Sequence, residues 1–318
     1  MAADRTMSST GLDIALMVDQ YLRMRRGMGY TLHGQGQRLL DFARFFQNTG
    51  AEHVSTAIIL DWATLPSNAD RTWWYARLGA VRPFAQFLQA FDAQTQVPEA
   101  SAIQDGDHRV RPFIFSEPEL ARLLAAADKL QPAFRALTYR TYISLVAVTG
   151  MRRSEATNLD RSDLDWENAA LTIREAKFHK TRRLPLHPST ITALDDYAHQ
   201  RDREFGTTEQ PAFFLSTRGT RLSSSSVGQV FAGLVQTAGL PRLETRHQQS
   251  LHDLRHTFAV RTLQGWYQSG ADVGPLLPLL STYLGHQNPY ATYWYLSGTP
   301  ELMTLVSERV RTYLQEES

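Results

Sequence analysis

Residues 170–187 read ALTIREAKFHKTRRLPLH, and this stretch decides the class of fold. ALTIREAK and RRLPLH are short runs with alternating and β-branched side chains, and FHKT lies between them. That is the pattern of two strands joined by a turn. The turn is basic: Lys177 and Lys180 lie in it, and Arg182 and Arg183 follow. Everything around the hairpin has the 3.6-residue periodicity of helix. Upstream, SEPELARLLAAADKL (116–130) has Ser116 placed as an N-cap and Pro118 in the first turn. FRALTYRTYISLVAVTG (134–150) is an apolar helix that stops at Gly150. Downstream, helices are expected at about 223–238, 252–268, 275–284 and 300–315. A helical body carrying one small hairpin is a mainly α, α+β domain.

Further from the hairpin the chain changes character twice. Residues 94–112 (QTQVPEASAIQDGDHRVRP) are polar, with Pro, Gly and clustered charge, and predict a linker. Residues 11–93 carry four helical patterns: LDIALMVDQYLRMRRGMGY, GQRLLDFARFFQNTG, STAIILDWA and SNADRTWWYARLGAVRPFAQFLQAF. The last contains Pro83, a candidate kink. Residues 1–10 read as a disordered lead. The expectation is two domains, an N-terminal helical bundle over 11–93 and an α+β domain over 113–318.

Composition narrows the chemistry. The chain has no cysteine, which excludes disulfides, thiol catalysis and cysteine-based zinc sites. No run approaches the roughly 20 apolar residues of a membrane span, and MAADRTMSST lacks a signal-type apolar core. The expected location is therefore the cytoplasm, with no membrane partner. Net charge is only +1, but just three of the 33 basic side chains are lysines, and two of those three sit in the hairpin turn. Arginine grips phosphate with a planar fork, whereas lysine is a movable point charge.

Four motifs carry chemistry-bearing residues, and each has a plain structural reading when taken alone. TGMRRSEATNLDRSDLDW (149–166) presents Arg152 after a glycine turn, with Glu155 three residues on and Arg153 beside it. Arg152 could simply cap its helix or pair with Glu155. AKFHKTRRLPL (176–186) could be a solvated turn. In LHDLRHTFAV (251–260), His252 and Arg255 share a helix face, and His256 stands four residues from His252. Two histidines at that spacing can ligate a metal, but no Glu follows His252 and no third ligand is evident. His256 reads equally as a core or capping histidine. In YLGHQNPYATYWYLSGTPEL (283–302), His286 follows a glycine, and Tyr290, Tyr293 and Tyr295 crowd one aromatic helix.

Taken together, in this order, the four motifs resemble the tyrosine recombinase (phage integrase) family. The resemblance covers residues 113–315, with residues 11–93 matching only in size and helicity, as a core-binding domain would. It places the family's first arginine on Arg152, its hairpin lysine on Lys177, its His-x-x-Arg pair on His252 and Arg255, and its Leu-Gly-His histidine on His286. The family's nucleophile follows that histidine by nine residues, which falls on Tyr295. Tyr293 and Tyr290 compete with it, and Lys180 competes with Lys177 if the hairpin register differs. The wording of TYWYLSGTPEL looks more like transposon-borne members of the family.

The resemblance implies a site-specific DNA recombinase that joins itself to a 3′-phosphate through Tyr295, for integration, excision or transposition. Arg152 and Arg255 would hold the phosphate oxygens, and His252 and His286 would add hydrogen bonds. His252 would serve as the base for the tyrosine, and Lys177 would protonate the leaving 5′-oxygen. Neither a metal nor ATP is required, and no cofactor is implied. Glu155 would orient Arg152. Partners would be double-stranded DNA with a specific recombination site and a homo- or hetero-tetrameric synapse. Lys180, Arg182, Arg183, Arg153, Arg23, Arg25, Arg26, Arg71 and Arg77 are candidate DNA contacts. The terminal segment TPELMTLVSERVRTYLQ would dock on a neighbouring protomer or fold back on its own domain. The competing readings are a type IB topoisomerase-like strand transferase without synapsis, a catalytically inactive DNA-binding relative and, more remotely, a metal-dependent nuclease.

Overall fold

The computed structural model describes residues 13–30, 32–65, 67–103, 112–174, 181–206, 210–241, 248–286, 290–297, 302–308 and 311. The chain divides into two compact units, with the break between Arg109 and Val110. No helix among the described residues is long and apolar enough to cross a membrane.

The first unit holds the four expected helices, α1 (Ile14–Gly27), α2 (His33–Thr49), α3 (Thr56–Ala63) and α4 (Arg71–Leu88). Three of them start where a side-chain oxygen satisfies free amides: Asp13 for α1, Ser55 for α3 and Asp70 for α4. Helix α4 continues through Pro83. The helices close on an aromatic centre in which Phe42 meets Trp62 and Phe84 edge-on.

Two expectations are corrected in this unit. The supposed linker does not begin at residue 94. Thr95 and Ile103 are buried, the Gln96 amide donates to the Val54 carbonyl at 2.8 Å, and Arg82 Nε donates to the Pro98 carbonyl at 2.7 Å. Polar composition had suggested a tether, but Val97 and Ile103 supply enough apolar surface to dock it. The rest of the expected linker, 104–111, falls outside the described residues. Arg77 is the second correction. Its side chain is buried, with the guanidinium 3.9 Å from the Trp62 ring centre and 3.1 Å from the Asp41 carboxylate. An arginine held in that way serves the core and is not a DNA contact.

The second unit is helical around a three-stranded antiparallel sheet. Its elements are α5 (Glu117–Ala127), α6 (Ala133–Thr149), α7 (Arg153–Thr157), β1 (Leu164–Asp165), β2 (Ala170–Arg174), β3 (Thr181–Pro185), α8 (Pro188–Phe205), α9 (Ser224–Thr237), α10 (Leu251–Gln268), α11 (Val273–Leu284) and α12 (Tyr290–Tyr293). Ser116 and Glu119 cap α5 reciprocally, as the sequence predicts for Ser116. The hairpin strands pair from Ala170↔Pro185 to Arg174↔Thr181, and β1 adds a short edge strand that the sequence reading lacks. That reading also lacks α8, whose sequence is mostly polar. Its buried stripe consists of only Leu194, Tyr197 and Arg201, too sparse for periodicity to register.

Helix α6 packs on α8 and α10 through the centre of the unit. A second cluster joins α10 and α11 to the segment after α12: Val260, Leu263, Leu277, Leu280 and Leu284 enclose Tyr295 and Leu302. Leu302, which opens the helical stretch 302–308, is fully buried in this cluster. The terminal segment therefore begins packed on its own unit, and its expected continuation to 315 runs beyond the described stretch.

Candidate active site

Arg152 stands at the N-cap of α7 because Gly150 turns the chain there. Gly150 has φ +61°, and a Cβ at that position would lie 2.5 Å from the Phe258 ring, so the turn needs glycine twice over. Beyond the turn, the Arg152 amide donates to Glu155 Oε2 at 2.8 Å, and its guanidinium donates to Glu155 Oε1 at 2.7 Å and to the Gly285 carbonyl at 2.5 Å. Glu155 thus orients Arg152, the role expected of it.

Arg182 is a correction. The sequence offers it as a DNA contact on the hairpin, but it points inward from β3. Its Nε donates to the Tyr283 carbonyl at 2.8 Å and its two terminal nitrogens grip Glu155 at 3.1 and 2.8 Å. On β3 the alternation puts Arg182 and Leu184 on the same covered face and Arg183 on the exposed one, and only the tertiary fold supplies the carboxylate that makes the inward arginine tolerable. Arg183 stays exposed and reaches Asp165 at 2.6 Å. Arg153 is exposed on α7.

Arg255 is the most enclosed cation of the site. It is 1% exposed, donates to the Gly150 carbonyl at 2.8 Å and donates to the Leu284 carbonyl at 2.6 Å. Burial, and then the charge of Arg152, lower its pKa to about 10, so it stays charged near neutrality. The two arginines are therefore fixed by main-chain carbonyls at both glycine turns of the site, Gly150 and the 284–285 end of α11.

His286 follows that second turn, with Nδ1 2.7 Å from Thr292 Oγ1. Burial first, then the charges of Arg255, Arg152, His252 and Arg182, push its pKa down to about 4, so its ring is neutral at pH 7. Tyr295 is 2% exposed and its ring stacks towards His286, with centroids 6.1 Å apart. Burial raises the pKa of its phenol, while the charge of Arg255, a hydrogen bond from it and the charge of Arg152 oppose that rise. Tyr293 is 46% exposed, on the outer face of the same segment.

His252 is exposed at the start of α10, and its ring meets that of His256 edge-on at 4.5 Å. His256 is the residue that sequence reasoning undervalued. Its Nδ1 lies 3.2 Å from the Tyr295 hydroxyl. The available signal was the four-residue offset from His252, which reads as metal-ligand spacing before it reads as a reach to a tyrosine. Among the described residues, no group of three or more His, Asp or Glu side chains is placed to hold a metal ion. Lys177 and Lys180 lie outside the described residues, as do the side chains of Tyr290 and its neighbours 287–289. In the first unit Arg26 and Arg71 are exposed, Arg25 lies over the Tyr30 ring at 4.0 Å and Arg23 pairs with Asp19 at 2.8 Å.

Arg152, Arg255, His286 and Tyr295 thus converge on one basic site from three separated stretches of chain. Residues 114–301, which contain all four, match the phage integrase family model. The protein designated integrase/recombinase y4rB of Sinorhizobium fredii is 39% identical over 299 residues, covering 92% of this chain and 95% of that protein. The tyrosine recombinase XerD of Caulobacter vibrioides is 30% identical over 270 residues, covering 84% and 78%. Among solved structures, the Tn1549 transposon integrase bound to transposon right-end DNA superposes with a TM-score of 0.67 at 16% identity, covering 94% of this chain and all of that one. The XerH site-specific recombinase on its palindromic difH substrate superposes with a TM-score of 0.64 at 18% identity, covering 91% and 83%. The chain belongs to the phage integrase family. It is a tyrosine recombinase, an enzyme of the DNA strand-transferring kind.

Proposed function

We propose that the protein cleaves and rejoins DNA at a specific recombination site through a covalent link between Tyr295 and a DNA 3′-phosphate. The observation that carries this reading is the placement of the Tyr295 phenol beside two arginines, Arg255 and Arg152, whose guanidiniums are anchored on main-chain carbonyls. Phosphoryl transfer needs its reactants aligned and the charge on the non-bridging oxygens matched by fixed donors. Arg152 and Arg255 supply that charge without having to reorganise, and neutral His286 adds a donor. Tyr295 Oη attacks phosphorus, the P–O5′ bond breaks, and the leaving oxygen takes a proton from Lys177 on the hairpin turn. A 5′-hydroxyl of a second strand then reverses the step, which conserves the bond energy without ATP. The phenol is enclosed in the DNA-free chain, so binding of the duplex has to uncover it. Lys180, Arg183, Arg153, Arg25, Arg26 and Arg71 are the remaining candidates for backbone contacts. Paired exchanges of this kind, for integration, excision or transposition, call for a tetrameric synapse on DNA.

The test uses a nicked duplex carrying the site, in EDTA. A covalent 3′-linked adduct is expected from the wild type and from Tyr293→Phe, and none from Tyr295→Phe. An adduct that persists in Tyr295→Phe and vanishes in Tyr293→Phe would overturn the assignment.

A further inference from the structure

His256 lies outside the residues that the family resemblance singles out, yet its side chain contacts the proposed attacking atom. Its Nδ1 is 3.2 Å from Tyr295 Oη. Its ring is held on three sides: by His252 edge-on at 4.5 Å, by Trp294 at 5.4 Å and by Tyr295 itself at 5.4 Å. His256 stands on α10 between two buried residues, Arg255 and Thr257. Among the described residues, the titratable and charged groups around the contact are His252 on α10, Tyr295 itself, and Arg255, Arg152 and His286 about the phenol.

We propose that His256 is the proton acceptor for Tyr295 in strand cleavage. This inference rests on the reading of Tyr295 as the nucleophile. A phenol ordinarily has a pKa near 10, and burial raises that of Tyr295, so it is a poor nucleophile at neutral pH unless its proton has somewhere to go. The nearby arginines stabilise the phenolate but accept no proton. Imidazole accepts one, and general catalysis requires the acceptor within hydrogen-bond reach of the proton it takes. In the step, the phenolic proton passes to His256 Nδ1, with the ring entering as the Nε2–H tautomer. The Oη–P bond forms, the P–O5′ bond breaks, and the 5′-oxygen takes its proton from Lys177. In the rejoining step the incoming 5′-hydroxyl gives its proton to the Lys177 amine, its oxygen bonds to phosphorus, the P–Oη bond to Tyr295 breaks, and the proton on His256 Nδ1 returns to the phenolate. The basic role expected of His252 then passes to its neighbour one turn on, and His252 is left exposed at the start of α10.

The experiment is single-turnover cleavage of the nicked duplex in EDTA from pH 5.5 to 9, comparing the wild type with His256→Gln, His256→Ala and His252→Gln. DNA retention in a gel shift and a thermal melt establish that each variant is folded. At pH 7, His256→Gln should cleave about 10²-fold more slowly, in the range of a lost general base. Its rate should then climb about tenfold per pH unit where the wild type levels off, and added imidazole should partly restore His256→Ala. Three outcomes overturn the inference: cleavage by folded His256 variants within about 3-fold of wild type, a deficit that is constant across pH with no imidazole rescue, or the pH-dependent deficit appearing in His252→Gln instead. Failure of the wild type to form any adduct on a verified site would sink the recombinase chemistry as a whole, an outcome distinct from all three.

Discussion

Arg182 and Glu155 face each other in the interior of the second unit, guanidinium to carboxylate, at 3.1 and 2.8 Å. Their side chains are only 11% and 7% exposed. Because Glu155 also holds Arg152, one carboxylate ties the base of the hairpin to the arginine proposed to hold the phosphate. Removing one partner of a buried pair leaves a charge without compensation, which costs about 3–5 kcal/mol. Arg182→Ala and Glu155→Ala are each expected to lose stability of that order in urea unfolding. The double variant should lose much less than the sum. Strictly additive losses would show that the pair is not coupled.

Stability should fall with acid in a window set by two groups. Burial alone would raise the pKa of Glu155, but the hydrogen bond and charge of Arg182, with the backbone and side-chain hydrogen bonds of Arg152, outweigh it and hold the carboxylate low. His286 sits at about 4 against an ordinary 6.5. In both cases the folded chain binds fewer protons than the unfolded one, so stability rises with pH. The His286 contribution is complete above 6.5 and disappears as pH falls from there to about 4. The Glu155 contribution is present above the unfolded carboxylate pKa of about 4.3 and is lost as pH drops through its lower folded value. Denaturant midpoints measured from pH 8 to 4 should decline less steeply for His286→Gln than for the wild type. Superimposable slopes would contradict the burial of a neutral ring.

Gly150→Ala combines two penalties. A left-handed backbone costs a non-glycine residue roughly 1–2 kcal/mol. The added methyl would also meet the Phe258 ring at 2.5 Å and Leu284 at 3.1 Å. Since the Gly150 carbonyl anchors Arg255, the strain falls directly on the proposed phosphate site. The variant is expected to melt lower and to cleave more slowly, while still shifting DNA in a gel. Wild-type cleavage by a destabilised variant would mean that Arg255 is held well enough by Leu284 alone.

The hairpin lysine has a chemical signature. If Lys177 protonates the leaving oxygen, Lys177→Ala should cleave an ordinary duplex far more slowly, yet recover most of its rate on a substrate whose bridging 5′-oxygen is replaced by sulfur. A thiolate leaves without needing a proton. The same rescue seen for Lys180→Ala, and not for Lys177→Ala, would shift the role by three positions along the turn.

The hairpin, Gly150 and the cap at Ser116 were legible in sequence because each is set by residues within a few positions of one another. The convergence of Arg152, Arg255, His286 and Tyr295 was legible only through resemblance, since no local rule brings residues so far apart to one pocket. What escaped was decided by tertiary burial. Arg77 and Arg182 look like surface cations in a list of residues, and nothing nearby in sequence announces Asp41 or Glu155 as their partners. His256 escaped for the same reason: its partner lies 39 residues away. Helix α8 escaped because its buried stripe is narrow and includes an arginine.

Arg255 spends donors on the carbonyls of Gly150 and Leu284, groups that every residue type possesses. Such an anchor asks nothing of the identity of a neighbouring side chain, only that two turns keep their places. Lineages can therefore drift at position 284 among apolar residues without disturbing the cation. The trio of Arg152, Glu155 and Arg182 has no such freedom, because each member is neutralised by another side chain. Across diverging descendants, the first anchor should survive as geometry while its surroundings vary, and the second should be inherited whole or replaced whole.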